Sequence, residues 1–393
     1  MTVIIICEGL AEEGAVANVA WQQAIGLCNY QPVYLVSDGL SLEKQQQIKA
    51  NGGRLHVTNL QSPKLLILRR FAHLPRQLIW IIIAIKATAH AINEQPKKLL
   101  SVICHSHPIA VAVGWCFGHR VKLIMVSHGD IFHRPPHSYD PAITWLYRLT
   151  TRKAHNLAAM NVALSPVMAE RIQAHGVSRD KIILIPNGIA PSEIGLTHPV
   201  LPEVEHWKAH PMRLLFIGRL NPVKGVDILL ESVSLLRQQD INIFLTIIGI
   251  GRPKDYEFIE SIVRQNGLNA FVKTLQSQPR NQLARHYTDC HLVVVPSRDE
   301  ALPTVVLEAM ACGRPVVGTN VGGIGFLVQD GKTGLVIAPN SPVALANALV
   351  HLNNDREKMA AMAKASLKRI QAFDWTANIK ALNAIMATNE ALL

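Results

Sequence analysis

The sequence lacks the features that mark several protein classes. Its 393 residues hold six cysteines, at 7, 28, 104, 116, 290 and 312, and none forms a Cys-x-x-Cys pair. Such scatter argues against a disulfide framework or a thiolate metal site, and Cys7 and Cys104 fall in apolar strand-like runs, as reduced buried thiols of a cytosolic protein do. No Asp-x-Asp stands at a strand end, and nothing beyond His105-x-His107 has ligand spacing, so no metal requirement is expected. The apolar run Leu78–Ile85 is eight residues long, too short for the ~20 that a spanning helix needs. Aromatic residues make up 5% and do not interleave with basic ones, and no helix-turn-helix is apparent, which disfavours nucleic acid as a partner. The start, MTVIIICEG, has neither a basic n-region nor a cleavage site and reads as a strand rather than a signal peptide.

What is present is an alternation of strand and helix patterns, the mark of α/β domains with parallel sheets. The length suits two domains, each able to bury a core. Hydrophobic content of 49% and charged content of 17% are those of a soluble globular enzyme. Strands are predicted near Val3–Cys7, Pro32–Val36, Arg54–Val57, Val102–Cys104, Lys122–Val126, Met160–Leu164 and Ile182–Ile185. A second set is predicted near Arg213–Ile217, Ile243–Ile248, Phe271–Leu275, His291–Val295, Pro315–Val317 and Leu335–Ile337. Between the sets, Ala190–Met212 holds four prolines and no sustained apolar period, which predicts a linker. The expected domains are 1–198 and 199–375, both doubly wound, with ligands outside the carboxyl ends of the strands where the domains face each other.

Charge is uneven. Residues 1–198 hold 19 Lys and Arg against 11 Asp and Glu, and residues 199–393 hold 20 against 17. The basic excess of the first half predicts an anionic partner there. Lys64–Lys98 concentrates it, with seven Lys and Arg against Glu94 alone. Two readings stand: a basic amphipathic helix on an anionic membrane surface, or a core helix with solvated cations.

The densest chemistry lies in Ser297–Gly318. The polar loop Ser297-Arg298-Asp299-Glu300 follows a buried strand, Pro303 suits a first helical position, and the helix runs to Gly313. Glu300 stands in the loop and Glu308 in the helix. The free N–H groups of Thr304, Val305 and Val306, with the helix dipole, make an anion site. Two carboxylates beside a phosphate cradle are the groups that a nucleotide sugar needs.

Glu300-x7-Glu308, followed by Ala-Met-Ala and Gly-Arg-Pro-Val-Val, resembles the signature of the retaining GT-B glycosyltransferases of family four. The resemblance implies two Rossmann-like domains facing across a cleft and a terminal helix, 376–393, that crosses back to the first domain. It assigns the donor sugar's 3- and 4-hydroxyls to Glu300, helped by the Ala301 and Leu302 amides, and the ribose hydroxyls to Glu308. Gly218-Arg219-Leu-Asn-Pro-Val-Lys224-Gly225 matches the family's Gly-Arg-Leu…Lys-Gly. Arg219 and Lys224 there suit a diphosphate, Arg by paired hydrogen bonds and Lys as a point charge, and they stabilise the charge of the leaving nucleotide. These fixed cations can do the work of a divalent ion.

Other segments resemble the family less fully. Gly249-Ile-Gly251-Arg252-Pro253 resembles its turn near the nucleoside, with Ile250 in place of the usual acid. The Gln276-Ser277-Gln278 loop is placed near the base. Gly14 lies in the loop after the first strand, where the family has paired glycines, and is placed near the donor phosphates or the acceptor. Ser127-His128-Gly129-Asp130 resembles the family's His-Gly element, so His128 is expected to face the sugar; His105 is expected to line the acceptor side and His107 to be structural.

The combined expectation is a retaining, metal-independent hexosyltransferase with no cofactor beyond its donor, a UDP-sugar with glucose first. The acceptor is a sugar hydroxyl on a glycan or lipid-linked glycan, and the location is cytoplasmic, peripheral at the inner membrane face. The alternatives are an epimerase of the same fold and a non-catalytic nucleotide-sugar or membrane-binding module. A dinucleotide oxidoreductase is disfavoured because no strict Gly-x-Gly-x-x-Gly follows the first strand.

Overall fold

The structure is a computed structural model that describes residues 2–7, 15–37, 44, 46–48, 54–59, 76–96, 99–128, 141–199, 201 and 203–387. The chain divides into two compact units. In the first, the chain order is β1 (Val3–Ile6), α1 (Ala15–Leu27), β2 (Val33–Ser37), β3 (Leu55–Asn59), α2 (Arg76–Glu94), β4 (Leu100–Cys104), α3 (His107–Phe117), β5 (Val121–Ser127), α4 (Pro141–Leu157), β6 (Met160–Ala163), α5 (Pro166–Ala174) and β7 (Ile182–Leu184). The described strands form one parallel sheet in the order β3-β2-β1-β4-β5-β6-β7. All four residues of β1 are buried, because a central parallel strand is covered on both faces and reads as a continuous apolar run. Ser165 caps α5, its Oγ accepting from the Met168 N–H at 3.3 Å, with Pro166 at the first turn where no donor is missed.

The terminal helix Trp375–Ala387 belongs to this first unit. The Lys122 ammonium donates to the Ile385 carbonyl at 2.5 Å, and Gln31 Nε2 donates to Asn383 Oδ1 at 3.2 Å. Ile379 fills the space above Gly26, where a Cβ on Gly26 would lie 2.4 Å from its Cγ1.

The second unit runs over Gly188–Asp374. It holds α6 (Val204–Ala209), β8 (Met212–Arg219), α7 (Val226–Gln238), β9 (Ile243–Ile250), α8 (Pro253–Gln265), β10 (Val272–Gln276), α9 (Leu283–Asp289), β11 (Leu292–Val295), α10 (Thr304–Ala311), β12 (Val316–Thr319), α11 (Ile324–Leu327), β13 (Gly334–Ile337), α12 (Pro342–Asn354) and α13 (Arg356–Ile370). Its sheet is again parallel, in the order β10-β9-β8-β11-β12-β13. Each unit is therefore doubly wound, and strand order reverses beside its first strand. In such sheets a ligand crevice opens outside the carboxyl ends of the strands at that reversal. In the second unit that point lies between β8 and β11.

Every expected strand has an observed counterpart with ends within two residues. Two expectations are corrected, and a third segment follows one of its two readings. The division falls at 187/188 rather than 198/199, because the backbone after it is tied to the second unit: the Ile189 N–H donates to the Phe373 carbonyl at 3.0 Å. The expected linker carries the 3-10 turn Pro191–Ile194 and α6, whose Trp207 is buried against His291; one large aromatic anchors a segment that proline content marked as loose. In the basic stretch, Trp80, Ile83 and Ala84 of α2 are core and Lys86 is solvated, so the described helix follows the core reading; residues 60–75 and 97–98 lie outside the described residues. Among the described residues no helix is long and apolar enough to cross a membrane.

Candidate active site

Two loops of the second unit meet at the reversal. Gly218 and Arg219 end β8, and the loop after them holds Lys224 and Gly225. The loop after β11 runs from Pro296 to Pro303, which occupies the cap of α10 rather than its first turn. Gly225 binds the first loop to the second. It adopts φ +68°, and a Cβ there would lie 2.1 Å from the Pro296 carbonyl oxygen, so only glycine tolerates both the backbone and the approach.

Arg298 completes the clamp. Its guanidinium forks onto Asp227 at 2.9 and 2.6 Å and donates to the Pro222 carbonyl, and its own N–H donates to the Val223 carbonyl at 2.7 Å. The clamp brings Lys224 to Glu300. Lys224 Nζ lies 2.6 Å from Glu300 Oε1, and Ser297 Oγ donates to the same oxygen at 2.8 Å. The Glu300 carboxylate is 10% exposed, so these charge-assisted bonds fix it in one orientation. Its Oε2 is left for a ligand, and the Lys224 ammonium keeps two further donors. Arg219 is exposed and pairs with no carboxylate among the described residues.

Gly322 and Gly323 press on the Glu300 loop from the other side. A Cβ on Gly322, at φ +52°, would lie 1.6 Å from the Glu300 carbonyl oxygen, and one on Gly323 2.4 Å from that of Ala301. Because a trans peptide sets its C=O and N–H in opposite directions, the Ala301 and Leu302 N–H groups point away from the glycines. The Thr304 and Val305 N–H groups open α10 with no carbonyl a turn behind them. The Glu300 carboxylate, two cations and backbone donors thus share one sheet end.

Gly249 lies in register with both Gly218 and Gln276, and Gly251 follows β9. Gln278 is half-buried; its Nε2 donates to the Gln276 carbonyl at 3.0 Å and its Oε1 accepts from Arg285 at 3.1 Å. Glu308 differs from expectation. Its carboxylate is 2% exposed, with Arg280 Nη1 2.8 Å from Oε1 and the Tyr287 hydroxyl donating to Oε2 at 2.6 Å. Arg280 also meets Glu193 at 3.4 Å. Burial, then Glu308 itself, pushes the Tyr287 phenol well above its usual range, so it stays a donor. Glu308 is closed because α10 turns this position inward under the loop that carries Arg280.

In the first unit, His105 follows β4 and His128 follows β5. His105 Nδ1 and His128 Nε2 share a hydrogen bond of 2.7 Å. Burial lowers both imidazoles, His128 to about 4, so the pair is neutral at pH 7. A buried neutral histidine favours folding only above the unfolded value of ~6.5, and that stability is lost as pH falls toward 4. Urea unfolding should show the wild type losing about 2 kcal/mol between pH 7 and pH 5 through His128, and His128→Gln losing measurably less. His107 is buried against His155. Gly14, Gly129 and Asp130 lie outside the described residues. Among the described residues no group of three or more His, Cys, Asp or Glu is placed to hold a metal.

Sequence reasoning passed over Ser297, Arg298, Asp227, Arg280 and Tyr287. The Gly322-Gly323 doublet and Ser297, three residues from Glu300, were the local signals available; Arg298, Asp227, Arg280 and Tyr287 act through partners distant in the chain.

Residues 200–369 match the family model described as glycosyl transferases group 1, and residues 31–193 match that of glycosyltransferase family 4. The chain is 30% identical over 230 residues to a D-inositol 3-phosphate glycosyltransferase of Paenarthrobacter aurescens, covering 56% of this chain and 54% of that protein. It is 35% identical over 161 residues to an uncharacterized glycosyltransferase of Methanocaldococcus jannaschii, covering 41% and 44%. The chain thus spans about half the length of the curated relatives it matches. Among solved structures, sucrose-phosphate synthase from Thermosynechococcus elongatus has a TM-score of 0.79 at 19% identity, covering 100% of both chains. Anabaena HepE in complex with UDP and glucose has a TM-score of 0.75 at 19% identity, covering 99% of this chain and 100% of that one. The fold is that of the GT-B glycosyltransferases, with two Rossmann-like parallel-sheet domains.

Proposed function

We propose that this chain is a retaining glycosyltransferase that moves a hexose, glucose first, from a UDP-sugar to a sugar hydroxyl of a glycan or lipid-linked glycan. The observation that carries the reading is the Lys224–Glu300–Ser297 constellation at the strand reversal of the second unit. The bound UDP and glucose of the HepE structure give the first donor to try.

Glu300 takes the sugar hydroxyls on its free oxygen, with the Ala301 and Leu302 amides beside it. Arg219, Lys224 and the opening N–H groups of α10 hold the diphosphate. As the sugar–phosphate bond breaks, negative charge grows on the leaving nucleotide, and donors already fixed around it lower the barrier without reorganising. Glu308 serves the ribose, but a ribose reaches it only as Arg280 yields, since the Glu308 side chain is 2% exposed and held by Arg280 and Tyr287. Gly14 stays assigned to the phosphate or acceptor side and His128 to the sugar. The enzyme works in the cytoplasm, at the inner membrane face where its acceptor is lipid-linked.

Incubation with a panel of nucleotide sugars and an acceptor mixture, with free nucleotide measured, tests the reading. UDP should be released from UDP-glucose, and activity should survive EDTA because protein cations replace a divalent ion. No release from any donor would overturn the reading, and loss on chelation restored by Mg²⁺ or Mn²⁺ would overturn metal independence.

A further inference from the structure

Helices α3 and α4 pack together in the first unit and leave an apolar surface open. Trp115 is 66% exposed, Leu149 52% and Leu157 38%. The three are contiguous with charge. Lys153 Nζ lies 4.9 Å from the centroid of the Trp115 ring. Leu149, Lys153 and Leu157 recur at every fourth position and so line one stripe of α4, with Arg152 exposed beside them. Leu157 reaches Gly114, the neighbour of Trp115: a Cβ on Gly114 would lie 3.4 Å from Leu157 Cδ1. Single exposed apolar residues are ordinary; here they adjoin and enclose two cations. Neither helix contains an Asp or Glu.

That composition selects the partner. In a two-fold contact with a second copy the same patch faces itself, setting Arg152 and Lys153 against their own like with no acid on either helix to pair them. A bilayer with anionic headgroups fits instead. Tryptophan favours the headgroup level, where its ring is apolar and its N–H is wet. A lysine stacked on that ring keeps its ammonium at the depth of the lipid phosphates.

We propose that the α3–α4 surface around Trp115 is a docking face for an anionic lipid bilayer. Trp115, Leu149 and Leu157 enter the headgroup boundary, and Arg152 and Lys153 meet lipid phosphates. The helices lie in the plane of the interface rather than across it.

Flotation of the full chain with vesicles tests this, using phosphatidylcholine alone and an equimolar mixture with phosphatidylglycerol. The wild type should float with the anionic vesicles, float far less with the neutral ones, and lose binding as salt shortens the Debye length below ~10 Å. Trp115→Ser should lower partitioning about tenfold. The pair Arg152→Glu and Lys153→Glu should lower it at least ~25-fold, at about fivefold per cation. Lys86→Glu, an exposed charge reversal on α2, should leave it unchanged. Thermal unfolding should confirm that all variants fold. Absence of vesicle binding, equal binding by the wild type and the Trp115 and charge variants, or loss with Lys86→Glu alone would each overturn the proposal. So would a wild-type dimer that Trp115→Ser dissociates. Because no donor sugar enters the assay, its failure is separate from any failure of the glycosyl-transfer reading.

Discussion

Glu300→Gln should lower kcat/KM for UDP-glucose at least ~100-fold, comparable to losing one preorganised transition-state donor, while leaving UDP binding nearly unchanged. The amide keeps the shape of the carboxylate, yet it loses the charge that holds Lys224 at 2.6 Å and one acceptor for the sugar hydroxyls. Lys224→Ala should cost a similar factor, because it removes a phosphate cation and leaves the Glu300 carboxylate with Ser297 as its remaining side-chain partner among the described residues. Since the two side chains act through one contact, the double variant should be far less impaired than the product of the single losses. Calorimetry with UDP and turnover with UDP-glucose check both parts. Equal losses of UDP affinity and turnover in Glu300→Gln would assign Glu300 to the nucleotide instead, and multiplicative effects would mean that the Lys224 contact is incidental.

The second large effect concerns stability. Arg280→Ala should destabilise the second unit by about 3–5 kcal/mol, the cost of leaving one partner of a buried ion pair uncompensated. Arg280 stands between Glu308 at 2.8 Å and Glu193 at 3.4 Å, so its loss strands the 2%-exposed Glu308 side chain with the Tyr287 hydroxyl as its remaining side-chain partner among the described residues. Glu308→Gln should cost less, because the amide oxygen still accepts from Tyr287 or Arg280. It should also weaken UDP binding by about 1–3 kcal/mol through the lost charge-assisted bond to ribose. Denaturant unfolding separates these outcomes from binding: wild-type stability in Arg280→Ala would mean the network is not buried in solution, and unchanged UDP affinity in Glu308→Gln would leave Glu308 a structural group.

Much of this molecule was legible in local sequence, and the reason is local too. Val-Ile-Ile-Ile at β1 and Leu-Val-Val-Val at β11 read as buried parallel strands because both faces are covered. Glu300, Lys224 and Arg219 could be singled out because each stands at a strand's carboxyl end, beside a turn whose glycine or proline is visible in the sequence. Proline misled at 190–212, since it reports backbone restriction and is silent on whether Trp207 finds a core.

Tertiary structure alone decided which charges meet. Lys224 and Glu300 are 76 residues apart, Arg298 and Asp227 71. The strand order that sets β8 beside β11 makes both pairs, and no periodicity or spacing encodes that adjacency. Likewise, the spacing of Glu300 and Glu308 fixed one carboxylate in the loop and one on the helix. Only the packing of α10 left the first with a free oxygen and buried the second, because a carboxylate turned inward must find a cation and a hydroxyl donor, and Arg280 and Tyr287 supply them.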